Sequence, residues 1–149
     1  MKFLALLGIG LLLFSPPVFS RSETRSLSGR WRVEFALTSG DKKHLIVEAK
    51  AKGNGTLLGL DTAEGNKQIP ESLPGVWSET ANGRVTFSGD IELPLGTCCR
   101  EVGTLILKGE YISDTSLKGR AIFITNTTDD ENFVGYRSDV GTFTATREP

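Results

Sequence analysis

Polar and apolar residues alternate along most of this chain, and that pattern constrains the fold more than any other feature. In the segment Gly29–Leu37 every second residue from Trp31 onward is apolar, and the residues between them are mostly charged. Successive side chains of a β-strand point to opposite faces, so a period of two predicts a strand with one buried face. Seven further segments are interpreted as strands: residues 44–52, 56–60, 76–80, 84–93, 102–112, 117–125 and 140–147. We therefore expect about eight strands and no amphipathic helix.

Turn signals separate these segments. Gly-Asn-Gly at 53–55 and Ser-Asp-Thr at 113–115 lie between predicted strands, and Asn-Gly at 82–83 predicts a two-residue hairpin turn. In the second predicted strand, Ala51 is expected to share the inward face of Leu45. Three longer stretches without periodicity are predicted loops: residues 61–74, 94–100 and 126–132.

The connections favour one fold class among the all-β architectures. Greek-key sandwiches need long crossovers, whereas this chain joins its strands in sequence through short turns. A row of glycines on the predicted inward faces also suits strands that bend around a closed barrel. We expect a single antiparallel up-and-down β-barrel of about eight strands, with a β-sandwich as the alternative. A barrel of that size is either filled by side chains or holds one small ligand.

The first twenty residues have the composition of a secretory signal. Lys2 precedes an apolar run from Phe3 to Phe14, and Pro16 and the small residue Ser20 follow it. The run is about a dozen residues, shorter than the roughly 20 that a membrane-spanning helix needs. We expect residues 1–20 to be a signal peptide and residues 21–149 to form one soluble β-barrel domain, secreted or periplasmic, with no membrane span.

The charge balance limits the classes of partner. The chain has 17 basic and 18 acidic residues and a formal net charge of −1. Nucleic acids and anionic membranes attract proteins through a clustered positive field, and here the charges are scattered along the chain. The sequence therefore predicts no nucleic-acid partner.

Three residues on the first and last predicted strands carry a family resemblance. Gly29 and Trp31 on the first strand, together with Arg147 on the last, resemble the signature of lipocalin-like barrels, the calycin group. The resemblance implies that Trp31 closes one end of the barrel and that Arg147 packs its guanidinium across the indole, a cation–π contact. The chain lacks the long first loop of lipocalins and the polar ligand set of avidins, so neither ligand is implied.

No combination of residues indicates catalysis. The single histidine, His44, falls on the polar side of its strand, and no nucleophile elbow, phosphate loop or zinc spacing occurs. The sequence predicts neither an enzyme nor a cofactor or metal site.

Cys98 and Cys99 are adjacent in a predicted loop of a chain that is expected to be exported. Neighbouring Cα atoms lie about 3.8 Å apart, below the roughly 4.4–6.8 Å of ordinary disulfides, so a bond between the two would be strained. A strained disulfide, free or intermolecular thiols, and a redox or metal role are all open. Asn54 and Asn126 begin N-glycosylation sequons, to which no function is assigned.

Two functions are compatible with such a barrel. The leading hypothesis is a small apolar ligand inside it, contacted by inward-facing candidates at Phe35, Leu37, Val47, Phe87, Leu105 and Phe123. The alternative is a filled barrel that binds an extracytoplasmic protein through its loops, as protease-inhibitor-like members of the calycin group do. Trp77 is either a surface aromatic over the 61–74 loop or a ligand contact at the barrel mouth, since Val76 and Trp77 cannot both face inward.

Overall fold

Nine β-strands form almost all of the secondary structure in the part of this chain that the computed structural model describes. The model describes residues 26–38, 42–61, 64–69, 71–95, 99–125 and 137–149. Within these ranges the only helical element is one 3-10 turn, Ala51–Gly53. The strands are β1 (Gly29–Leu37), β2 (Lys42–Ala49), β3 (Asn54–Asp61), β4 (Lys67–Gln68), β5 (Leu73–Glu79), β6 (Arg84–Leu95), β7 (Cys99–Ser113), β8 (Ser116–Thr125) and β9 (Arg137–Arg147).

Eight of the strands close into a barrel. Each pairs antiparallel with the next one along the chain, and β9 pairs with β1 to complete the circle. The short strand β4 lies outside this circle and pairs only with the end of β3. The predicted antiparallel up-and-down barrel of eight strands is therefore confirmed, with one additional strand.

The period of two determines which side chains enter the barrel. Phe35 on β1 lies opposite Phe143 on β9, and Leu105 on β7 lies opposite Phe123 on β8. All four are buried in one continuous core. Their neighbours along each strand point outward and are more exposed. Antiparallel pairing of half-apolar strands thus produces one continuous apolar interior.

A pair of glycines allows two strands to approach over an aromatic ring. Gly109 on β7 lies directly opposite Gly119 on β8. A Cβ atom at Gly119 would lie 2.1 Å from the backbone oxygen of Lys108 and 2.7 Å from Cε1 of Phe143. Because neither distance is possible, only glycine fits here, and Phe143 fills the space that a side chain would take.

The hairpin at residues 82–83 contains a different turn from the predicted one. Gly83 donates its N–H to the backbone oxygen of Thr80 at 2.9 Å, and Thr80 N–H donates to the oxygen of Arg84 at 2.9 Å. Gly83 has φ +76°, but Asn82 is not in the left-handed region. A two-residue type I′ turn needs positive φ at both positions, so the loop is longer and ends in a left-handed glycine.

Two predicted loops are shorter than expected, and one inward assignment is wrong. Residues 61–74 include β4 and the start of β5. Strand β6 extends to Leu95 and strand β7 begins at Cys99, so residues at both edges of the predicted 94–100 loop are paired, Pro94 with Arg100. Ala51 begins the 3-10 turn and is exposed, because the chain leaves β2 at Ala49. The predicted loop 126–132 lies outside the described residues.

Substitution of Gly119 by alanine tests the close approach of β7 and β8. The added methyl group has no room, so we expect Gly119→Ala to lower the free energy of unfolding by about 1–3 kcal/mol. Thr142→Ala, an exposed change on the neighbouring strand β9, is the control, and its free energy of unfolding should stay within about 0.5 kcal/mol of that of the parent. Urea unfolding measures both, and equal stability of the two variants would contradict the steric account.

Candidate functional site

Trp31 fills one end of the barrel. Its side chain is buried, and its Nε1 donates a hydrogen bond to the backbone oxygen of Leu27 at 2.8 Å. The ring of Tyr111 lies 6.4 Å away between centroids, at an interplanar angle of 58°. A buried indole needs a partner for its N–H, and the segment before β1 supplies one by folding back over the ring.

Arg147 lies over this plug. Its Cζ is 4.5 Å from the centroid of the Trp31 ring, and the two residues are directly paired between β1 and β9. Its Nη1 donates to the backbone oxygen of Ser28 at 2.7 Å, and its Nη2 donates to that of Ser26. A Cβ atom at Gly29 would lie 3.0 Å from Nη1. The three residues of the family resemblance therefore meet at one place, where they connect the first strand of the barrel to the last.

An ion cluster lies on the exterior near this end. Glu148 accepts from Arg30 Nε at 2.6 Å, and its other carboxylate oxygen is 2.8 Å from Arg32 Nη2. Burial acts to raise the pKa of Glu148, but the hydrogen bonds from the two arginines outweigh it and hold the pKa below its usual 4.5.

The six candidate ligand-binding residues lie in the core. Five of them are buried, and Leu37 is partly buried against the same cluster. The cavity between core side chains near the Trp31 plug has a volume of about 20 Å³. Of the six, only Val47 and Phe87 line it. A cavity of this size holds about one water, whereas small-molecule sites have about 300–1,000 Å³.

A larger concavity lies on the outside of the barrel, across β6, β7, β8 and β9. Its volume is about 560 Å³, and we call it the exterior groove. Gly109, Gly119 and Phe143 contribute to its floor. Two rows of outward side chains line it, each row taking one residue from each strand. The first row is Thr86, Lys108, Arg120 and Thr142, and the second is Arg84, Glu110, Lys118 and Thr144.

The exterior groove has a net positive charge, and its basic residues come from separate strands. Of its five charged residues four are basic, and Glu110 alone is acidic. Lys118 lies 3.9 Å from Glu110. Sequence reasoning described the charges as scattered and so missed this cluster. The repeated pattern Lys-Gly-Glu at 108–110 and Lys-Gly-Arg at 118–120, on either side of the predicted turn, was the available signal.

Trp77 and His44 are separated from this groove. Trp77 faces inward opposite Phe87, packs partly against the core, and donates from Nε1 to the backbone oxygen of Lys50 at 2.7 Å. Its partner is therefore the segment after β2, not the 61–74 loop. His44 lies on the outer face, where Nε2 is 3.9 Å from a carboxylate oxygen of Glu34.

Several sequence predictions fall on residues that the structure does not describe. These are the signal peptide at 1–20, Cys98 and the sequon at Asn126, while Cys99 is described only as the first residue of β7. Across the described ranges, no helix is long and apolar enough to cross a membrane. The same ranges contain no group of three or more His, Cys, Asp or Glu side chains placed to hold a metal ion.

Comparison with known proteins identifies no family. No protein-family model matches the chain, and no curated protein matches it either. Among solved structures it is similar to a redesigned β-barrel, with 14% sequence identity and a TM-score of 0.43, over 83% of this chain and 92% of that chain.

Removal of the Trp31 side chain should lower the stability of the fold. We expect Trp31→Ala to lower the free energy of unfolding by about 3–5 kcal/mol, as for other large buried aromatics. Thr146→Ala, an exposed change beside Arg147 on β9, should change it by less than about 0.5 kcal/mol. Chemical denaturation gives both values. A loss below about 1 kcal/mol for Trp31→Ala would mean that Trp31 does not act as a plug.

The ion cluster predicts a dependence of stability on pH. A carboxyl whose pKa is lowered in the folded state stabilises the fold above its unfolded pKa, and that contribution is lost as pH falls through the folded pKa. Because the arginines are half-exposed, we expect Glu148→Gln to cost only about 0.2–1 kcal/mol near pH 7. The difference from the parent should shrink as the pH falls below 4.5, measured by urea unfolding at pH 7 and at pH 3. A difference that persists in acid would exclude the ionised carboxylate as its cause.

Proposed function

We propose that this protein is a non-enzymatic, extracytoplasmic β-barrel that recognises another protein through its exterior. The observation that carries the proposal is the close packing of the described core beside the plug, where the cavity measures about 20 Å³. A core packed to this extent leaves no room for a drug-sized ligand beside the plug, so recognition falls to the surface. The filled form was the alternative among the sequence-based hypotheses, and the packing favours it over the leading one.

An apolar ligand in the interior is the competing function. To bind one, the barrel would have to displace side chains such as Phe35, Phe87 and Phe123, all of them buried. Opening a cavity in a packed core costs dispersion contacts and buried apolar area, so the bound ligand would have to replace both. The large exterior groove needs no such rearrangement, which also favours recognition at the surface.

Export and a relation to lipocalin-like barrels belong to the same proposal. The contact between Trp31 and Arg147 supports the relation, because it reproduces the end closure that the resemblance implies. The composition of residues 1–20 supports export. A binding module outside the cytoplasm meets its partners as folded proteins or exposed segments, and a rigid barrel presents a constant surface to them.

A neutral fluorescent dye distinguishes the two functions. Nile red is suitable because it has no charge and so is not drawn to the basic exterior groove. We expect no saturable rise in fluorescence with the parent protein. Phe87→Ala removes a ring from the wall of the cavity and adds room for about one benzene but not for Nile red, so it should also show no saturable uptake while it remains folded by circular dichroism. Saturable uptake by the parent at one dye per protein would overturn recognition by the exterior.

A further inference from the structure

Two basic side chains lie side by side on the outer face of the barrel. Lys108 on β7 is directly opposite Arg120 on β8, and both are exposed. Like charges at directly opposed positions of neighbouring strands destabilise a sheet. The flanking residues of the same row, Thr86 and Thr142, are uncharged, and neither cation forms an ion pair with any residue of the described ranges. This unfavourable pair has no stabilising role within the described fold, which points to an external anion.

The neighbouring row strengthens the positive field. Arg84 and Lys118 lie on either side of Glu110, which is 3.9 Å from Lys118. The groove therefore has a net charge of about three positive units, whereas the whole chain has a net charge of −1. A field confined to one patch suits a partner with a few carboxylates, since a long polyanion or an anionic surface would also face the acidic remainder of the protein.

An apolar row adjoins the basic row on its other side. Ile106, Ile122 and Val140 lie directly opposite one another on β7, β8 and β9, and all three point outward. Val140 is 40% exposed, and the two isoleucines are partly exposed. Outward residues of successive rows are two positions apart along a strand, or about 6.8 Å. An extended segment that lies along the barrel strands has the same spacing between its residues i and i+2.

We propose that these three rows bind an extended acidic segment of a partner protein. Carboxylates at positions i and i+2 of the segment meet the rows of Lys118 and of Lys108 with Arg120, and an apolar side chain at i+4 meets the row of Ile122. The strands β6 to β9 are paired on both sides, so recognition uses side chains rather than an added strand. This inference rests on the proposed recognition through the exterior and adds its location and chemistry.

A synthetic peptide tests the inference. The probe is acetyl-Ser-Glu-Ser-Glu-Ser-Val-Ser-amide, whose two glutamates and valine share one face when it is extended. It is titrated into the ¹⁵N-labelled full chain and followed by NMR. We expect the largest shift changes at the amides of Lys108, Arg120 and Ile122. Versions with Lys for both Glu, or Ser for Val, should bind more weakly, and added salt should weaken binding of the probe.

Charge-matched variants show whether the basic row is responsible. The double variant Lys108→Gln, Arg120→Gln should lower the affinity for the probe by about three- to tenfold, since two exposed ion pairs with the peptide are lost. The control, Lys50→Gln with Lys67→Gln, removes the same charge from other exposed sites and should change affinity less than about twofold. Because Lys108→Gln relieves the repulsion, the groove variant should unfold at the same or a higher urea concentration than the parent.

Several outcomes would overturn the inference. These are no shift change with the probe, shift changes centred elsewhere, equal weakening by the two double variants, or binding of phosphatidylglycerol vesicles without binding of the peptide. Any of these, with no uptake of Nile red, rejects this surface and leaves recognition by the exterior in place. Saturable dye uptake instead rejects the proposed function itself, so the two failures are distinguishable.

Discussion

Closing eight strands into a circle gives the barrel an interior of set width, and everything else in the structure depends on how that interior is filled. Phe143 occupies the space beside Gly109 and Gly119, where no side chain fits on either strand. Trp31 closes one end, and Arg147 lies across it. Large aromatic rings thus pack against glycines, because a Cβ atom at these glycines would clash with the ring or with the neighbouring backbone.

The packed core of the described residues moves the functional question to the exterior. Beside the glycine pair, four strands line a groove whose charged side chains are mostly basic. The same register that packs Phe143 inside therefore also places Lys108 beside Arg120 outside, since every residue between two inward positions points outward. Core packing and surface chemistry are coupled through this register, so a slip by one residue would destroy both.

Much of the fold could be predicted from local pattern. The inward positions of β1, β6 and β8 followed from alternation, and the up-and-down order followed from short connections. The turn at Gly83 was predicted with the wrong geometry, because Asn-Gly also fits a longer loop that ends in a left-handed glycine. Strand β6 continues through Pro94 to Leu95, because a proline can lie in a strand wherever its nitrogen need not donate a hydrogen bond.

The sequence by itself determined which face of each strand is apolar, since side-chain direction alternates with a period of two. It could not determine which outward residues become neighbours. Arg84, Lys108 and Arg120 lie on three consecutive strands, and the register of the β6–β7 and β7–β8 pairs brings them to one groove. The volume left inside was equally beyond the sequence, because it depends on how rings such as Phe143 fit against glycines of other strands. The direction of a side chain is a local property of the backbone. Contacts between side chains of neighbouring strands, and the volume left in the interior, are set by strand pairing across the whole barrel.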